Sequence, residues 1–283
     1  VGTEIAQETR FQKRAIGQSA NNLCDATNVL CRTDLFNPVD TSFGGTFTGY
    51  AQPNLTDQTN VAVYAFDQIK FNEYFELLGS VRYDNFSTEF VNLALTGADR
   101  NLSRTDNLFS WRVGGVVHPI PDTSIYIAHG ISYNPSGEFN TLSSATNNVA
   151  NALLDPEQNT ITEIGAKADV LNKKLSLAAA VFRIEKTNLR IPVDPATNTA
   201  LVLDGLARVE GFEVSAAGKL TDQWQVFAGY SYLESEIIKT TNLAELGRDL
   251  PQTPRHNFTL WTTYEITPRW TVGGGAIYQS DAF

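Results

Sequence analysis

The sequence predicts an all-β fold, an antiparallel transmembrane β-barrel, from three observations. Amphipathic stretches recur in pairs joined by very short turns. Long polar connections fall on alternate joints down the whole chain. Within each stretch the side chains alternate between an apolar and a charged face, the period of an extended strand. A soluble sandwich has no reason to keep its long loops on alternate joints. A barrel in an outer membrane does, with short turns at the periplasmic rim and long loops outside.

The elements follow in order. A first strand is predicted at 2–13, and five pairs follow it, about eleven strands in all. "VAVYAFDQIKFNEYFELLGSVRYDNF" turns at 71–73, and "FSWRVGGVVHPIPDTSIYIAHGISY" at 119–122, where two prolines cannot donate to a sheet ladder. "ITEIGAKADVLNKKLSLAAAVFRI" turns at 171–174, "VEGFEVSAAGKLTDQWQVFAGYSYL" around 221–222, and "RHNFTLWTTYEITPRWTVGGGAIYQ" at 267–268. Asn, Asp and Pro at these breaks are turn formers. The connections between pairs run over about 14–56, 89–105, 134–157, 188–205 and 236–254, and are rich in Asn, Thr, Ser, Asp and Gly.

The alternation predicts which face meets lipid. Phe75, Leu77, Gly79, Val81 and Tyr83 oppose Glu76, Leu78, Ser80 and Arg82. Ile164, Ala166, Ala168 and Val170 oppose Glu163, Gly165, Lys167 and Asp169; Phe212, Val214 and Ala216 oppose Glu213, Ser215 and Lys219. Phe258, Leu260, Tyr264 and Ile266 oppose Asn257, Thr259, Thr263 and Glu265, with Trp261 on the polar side. Charges facing inward in strand after strand would ruin a sandwich core, but they suit a wet or plugged lumen. Phe109, Trp111, Trp224, Tyr230, Tyr232, Trp270 and Tyr278 stand near strand ends, as interfacial girdles do. A soluble all-β protein using Trp and Tyr as core filler is the plainer alternative.

Composition is consistent with this. The 283 residues are 42% hydrophobic and 18% charged, averages that an alternating strand produces because its hydropathy cancels. No apolar run approaches the roughly 18 residues of a membrane-spanning helix. A net charge of −10 opposes general nucleic-acid binding, which needs a basic face. Methionine is absent and the chain opens on Val1 without a leader, which reads as a fragment, with Phe283 a truncation point inside the barrel. Cys24 and Cys31 lie in one polar segment, "NNLCDATNVLCR", with six residues between them. They can close a small disulfide loop in an oxidising compartment, or stand as two unpaired thiols. No further Cys or His stands near to complete a metal site.

Enzyme signals are weak. His118, His129 and His256 are scattered among strands with no nucleophile motif, and read as wall or rim residues. The glycines at 273–275 precede no helix, so they read as small residues giving strand curvature or clearance rather than a phosphate loop. Glu210 and Glu213 sit three apart in a strand and so face opposite sides.

The segments "LDPEQNTITEIGAKADVLNKKLSLAAAVFRIEKTN", "RVEGFEVSAAGKLTDQWQVFAGYSYLESEI" and "LPQTPRHNFTLWTTYEI" strongly resemble the barrel of TonB-dependent siderophore receptors, most of all the catecholate type. "GISYNPSGE" and "VYAFDQIKF" are further matches, with residues 130–283 the most specific part and 14–56 the least. The resemblance implies a bacterial outer-membrane barrel of about twenty-two strands around an N-terminal plug. Residues 1–283 would then be a partial barrel domain, roughly strands nine to nineteen, without the plug. It implies no enzyme activity and no intrinsic cofactor, with a ferric siderophore as transported ligand. The implied partners are outer-membrane lipid and the TonB complex, the latter reached through the missing N-terminal segment.

A ferric catecholate is bulky, multiply negative and aromatic, so its site needs Arg or Lys for charge and aromatic faces for stacking. Loop and upper-rim candidates are Arg14, Arg32, Tyr50, Tyr133, Phe139, Arg190 and Arg248. Three rivals stand beside this reading. One is the same barrel importing a hydroxamate chelate, haem or an oligosaccharide. Another is an outer-membrane protease or lipase. The third is a soluble lectin-like β-protein.

Overall fold

The computed structural model describes residues 1–18, 46–93, 96, 100–135, 154–192 and 201–282, and side chains within these except at 13–18, 46–52, 190, 192 and 201–203. Eleven strands form one sheet in strict sequence order, each antiparallel to the next. They are β1 (Gly2–Gln18), β2 (Thr46–Lys70), β3 (Phe75–Asn92), β4 (Asn101–Val117), β5 (Thr123–Asn134), β6 (Glu157–Val170), β7 (Leu175–Pro192), β8 (Leu201–Lys219), β9 (Trp224–Lys239), β10 (His256–Thr267) and β11 (Trp270–Gln279). The expected count and the positions of all five short turns stand.

Local chemistry makes the turns. At 71–74 the Asn72 side-chain oxygen accepts the backbone N–H of Tyr74 at 2.8 Å and of Phe75 at 2.9 Å, an Asx turn. At 171–174 three successive residues, Leu171, Asn172 and Lys173, take positive φ of 55°, 58° and 65°. At 220–223 the Thr221 hydroxyl accepts the N–H of Trp224 at 3.1 Å.

Register sorts the side chains into two faces. Phe75 pairs with Val117, Val117 with Ile125, and Ile125 with Ala166. The row continues through Ala179, Val214, Tyr230, Phe258 and Tyr278. This face holds the exposed apolar side chains Val81, Val113, Ile127, Ile164, Val181, Val214 and Val272. Aromatics bound it on both sides: Phe75, Trp224, Tyr264 and Trp270 toward the turns, Tyr83, Phe109, Phe212, Tyr230 and Tyr278 toward the loops. The apolar stretch in β3, residues 75–83, has the roughly 9–11 residue length of a tilted strand crossing a bilayer.

The opposite face holds nearly every fully buried side chain: Ala62, Phe90, Leu108, Ala128, Ala180 and Ala207, with the polar Thr56, Gln58, Thr88, Asp106 and Ser235. Burial confined to one face is what a curled sheet produces on its concave side. The expected face assignments therefore hold, including Trp261 on the polar side, where it pairs with Phe227 and Gly275.

The strands run further than the sequence suggests. β3 and β4 pair out to Val91 and Asn101, well into the polar stretch expected to be loop. Past the girdle the ladder is dressed with polar pairs, Asn85 donating to Asn107 at 2.8 Å and Ser87 meeting Thr105 at 3.3 Å. A backbone already paired on both sides needs no apolar cover in water, so these residues read as loop and fold as strand.

Candidate functional site

A site in this fold can lie on the inner wall or on the loop side. The inner wall is lined by charge networks. Arg82 donates to both Asp84 oxygens, at 2.7 Å from Nη2 and 2.9 Å from Nε, and to Glu4 at 3.0 Å. Asn60 donates to the same Asp84 at 2.9 Å, and the guanidinium lies 5.8 Å from the Tyr64 ring centre. Three strands are thus tied by one arginine. Arg104 pairs with Asp106 at 2.6 Å, and Tyr126 donates its hydroxyl to Glu163 at 2.6 Å.

Large inner-wall rings sit over glycines. Tyr126 pairs across the ladder with Gly165, where an added Cβ would lie 2.5 Å from the ring. Trp261 covers Gly275, whose added Cβ would meet Leu260 O at 2.4 Å and the indole at 2.8 Å. Gly275 and Gly273 therefore give clearance, one of the two roles their sequence context suggested, whereas nothing lies within 4 Å of a Cβ added at Gly274.

On the loop side, residues 240–255 between β9 and β10 are built by hydrogen bonds. The Ile237 N–H donates to the Arg248 carbonyl at 2.9 Å, Gly247 returns a bond to the Ile237 carbonyl at 2.9 Å, and Leu250 N–H donates to the Ser235 hydroxyl at 2.9 Å. Asn242 caps the segment through Glu245 at 2.8 Å. Arg255 closes it with both oxygens of Asp249, and that carboxylate holds the Arg255 pKa above its ordinary value. Gly247, at φ 74°, is the residue that lets the chain reverse. Leu243 and Leu246 are exposed beside Arg248, itself exposed.

The sequence-predicted residues fall as follows. Arg248 stands on this ordered loop, and its backbone is fixed at both ends. Arg14, Tyr50 and Arg190 have backbones in the loop-side extensions of β1, β2 and β7, at register positions opposite Ala51, Ala15 and Leu203. Tyr133 pairs with Gln158 and shares the outward face of Ile127 and Ile131, so it does not join the inner wall. Arg32, Phe139, Cys24 and Cys31 lie outside the described residues. Of these candidates only Tyr133 and Arg248 have described side chains, and they stand on different parts of the sheet, Tyr133 in β5 and Arg248 between β9 and β10. Residues that the sequence did not single out as site candidates, Arg112, Tyr126 and Lys167, gather on the inner wall instead. Strand parity already placed Lys167 inward; register sets Lys167 opposite Ser124 and Arg112 opposite Gly130, on either side of β5 and at different heights along it.

The histidines are wall and rim residues. His118 contacts Glu76 at 3.1 Å, His129 contacts Thr162 at 2.8 Å, and His256 contacts Tyr230 at 2.8 Å. Among the described residues no three His, Cys, Asp or Glu groups come together to hold a metal.

A sheet with an apolar belt between two aromatic girdles on one face and ion pairs on the other is the wall of an outer-membrane β-barrel. Residues 9–283 match the family described as TonB dependent receptor-like, beta-barrel. The probable TonB-dependent receptor BfrD of Bordetella pertussis is 34% identical over 246 residues, covering 85% of this chain and 33% of BfrD. The catecholate siderophore receptor Fiu of Escherichia coli K12 is 34% identical over 249 residues, 80% of this chain and 32% of Fiu. The crystal structure of Fiu in its closed form superposes with a TM-score of 0.79 at 28% identity, covering 99% of this chain and 42% of that one. The siderophore receptor PiuA of Acinetobacter baumannii gives the same TM-score of 0.79 at 28% identity, covering 98% of this chain and 42% of PiuA. The chain belongs to the TonB-dependent receptor β-barrel family, whose members reside in the bacterial outer membrane, and it spans about a third of the length of these curated relatives.

Proposed function

We propose that residues 1–283 form part of the barrel domain of an outer-membrane receptor that binds and imports a ferric siderophore, of catecholate type. The observation that carries this is the pairing of a lipid-facing belt with a charged inner wall, in a chain whose relatives Fiu and PiuA are named as siderophore receptors. The role is transport without covalent chemistry. The iron arrives as chelated cargo, and the TonB complex supplies energy through a segment outside residues 1–283.

Capture is assigned to loop-side cations and aromatics: Arg14, Arg32, Arg190 and Arg248, with Tyr50, Tyr133 and Phe139. A cation half-enclosed between loops is less screened than one on open surface, so each contact with the chelate carries more weight. In the complete receptor, single replacement of Arg14, Arg32, Arg190 and Arg248 by Ala should reveal at least one variant with ferric-catecholate uptake lowered about tenfold, or about 1.4 kcal/mol. If all four import ferric catecholates like the parent while another nutrient competes for uptake, the catecholate assignment fails.

A further inference from the structure

His129 and His256 each meet a hydroxyl, of Thr162 and of Tyr230, which can donate or accept and so suits a neutral imidazole. His118 has no such partner. Its Nε2 lies 3.1 Å from Glu76 Oε1, and its Nδ1 lies 3.3 Å from the Thr123 carbonyl oxygen. A carbonyl oxygen only accepts. Glu76 also only accepts, because its Oε1 takes Lys70 Nζ at 3.1 Å and its Oε2 takes the Gln68 side-chain amide, which leaves no place for a carboxyl proton. Each ring nitrogen of His118 must therefore carry a hydrogen. A neutral imidazole has one N–H, so one of the two oxygens would face a bare lone pair.

The place of this ring in the sheet gives the protonation a mechanical consequence. His118 opens the turn between β4 and β5, where Pro119 and Pro121 bring no N–H of their own. The backbone holds the turn by few bonds: His118 N–H to Tyr74 O at 2.8 Å, Thr123 N–H to Ile120 O at 3.3 Å, and Asp169 N–H to Asp122 O at 2.8 Å. The ring adds a tie to Glu76 at the start of β3 and, through Lys70 and Gln68, to the end of β2. One side chain thus joins β2, β3 and the β4–β5 turn at the short-turn rim, which is the periplasmic one. The other charges around it are Asp122 in the turn, and Lys167 and Asp169 of β6, which line the same hollow; Lys173 holds Asp122 at 2.7 Å. The His118 side chain is 33% exposed and that of Glu76 12%, so solvent protons reach the ring while its carboxylate stays sheltered.

We propose that His118 is a proton-operated clasp on the periplasmic mouth, closed when both ring nitrogens are protonated and open at one bond when a proton leaves. The clasp does not depend on which cargo the barrel takes. Its sign follows from the contacts. Both require the imidazolium, so the tie is complete on the acid side and is lost as pH rises through the range of roughly 5 to 8 in which histidine changes charge. Glu76 keeps Lys70 and Gln68 as donors in either state. Opening therefore frees the β4–β5 turn from β3 without leaving a bare carboxylate, and it loosens one stretch of the rim while the ladders above it stay paired.

The test uses the complete receptor in detergent micelles, between about pH 5.5 and about pH 8.5. Amide exchange of the peptide covering 118–124, corrected for the intrinsic rate at each pH, reads the clasp. The expected result is protection that falls about tenfold across this range in the parent. His118→Gln keeps an amide donor that does not titrate and should show no step. Glu76→Gln offers both a carbonyl and an amide, which suit either state of the ring, and should flatten the step as well. Parent protection that stays level after correction overturns the clasp, and so does an equal step in His118→Gln. Nitrogen NMR of His118 supplies a readout that needs no variant, should heat-dependent gel mobility show that one fails to assemble. Two protonated nitrogens in acid, with the loss of one coinciding with the fall in protection, support the clasp. A single protonated nitrogen throughout, or a loss at a pH apart from the fall, overturns it.

Discussion

Gly218 shows how tightly one residue can be specified. It closes β8 at φ 138°, and an added Cβ would sit 2.2 Å from the Lys174 carbonyl oxygen, which accepts the Lys219 N–H at 2.7 Å. Both the backbone conformation and the neighbouring strand exclude a side chain. Gly218→Ala should lower the unfolding midpoint of the assembled receptor by an amount corresponding to roughly 1–3 kcal/mol. Gly79→Ala, where nothing lies within 4 Å of the new Cβ, should change it far less. Equal effects in denaturant titrations of the two variants would show that the 174–218 approach is looser than drawn. The same turn carries exposed charge: Lys174 meets Asp222, and this contact lowers the Asp222 pKa. A depressed carboxylate pKa means the tie is present at neutral pH and lost as pH falls through the folded value, below the ordinary 3.8. Acidification through that range should therefore loosen the periplasmic rim, read as faster amide exchange at 220–223. Exchange rates there that follow only the intrinsic pH dependence would remove the tie from the account.

At the scale of the strand, face decides what a substitution does. Val214 stands on the lipid face between Ala179 and Tyr230, and Leu260 between Ala228 and Ala276. Val214→Arg or Leu260→Arg should impair insertion of the full-length protein by roughly 2–4 kcal/mol near the bilayer midplane. Ser215→Arg and Thr259→Arg place the same charge on the wet face and should assemble better. Yields of heat-modifiable barrel decide the matter, and equal losses in both sets would reverse the assigned faces. These faces were legible in the sequence because each strand alternates over enough residues to mark its own parity. The five short turns were legible because Asn, Asp and Pro have local reasons to be there. What could not be read was register. Nothing in "GVVHPIPDTSIYIAHG" says that Arg112 stands opposite Gly130, or that Lys167 stands opposite Ser124. The strand extensions beyond the girdle were equally hidden, since Asn85, Ser87 and Thr105 have loop chemistry and are held by partners distant in sequence.

For the whole molecule, the sheet's own order sets the last expectation. Ten neighbouring pairings run from β1 to β11, and among the described residues β1 and β11 each have one strand neighbour. Among the described residues, the outer edge of β11 therefore offers unpaired N–H and C=O groups along its 10 residues. Edges of this length invite pairing with any available strand, and a bilayer or micelle core gives their polar groups no water to bond. β11 adds to the hazard, because its ten residues are all exposed and include Trp270, Val272, Ile277 and Tyr278. Residues 1–283 refolded alone in mild detergent should self-associate through these edges, giving species larger than one chain by light scattering. Introducing Lys at Val272 or Ile277 should reduce that association, because an edge charge opposes strand addition. A monomeric, protease-resistant parent with sharp amide protection on β1 and β11 would show that this wall satisfies its own edges, and the open-sheet account would then be wrong.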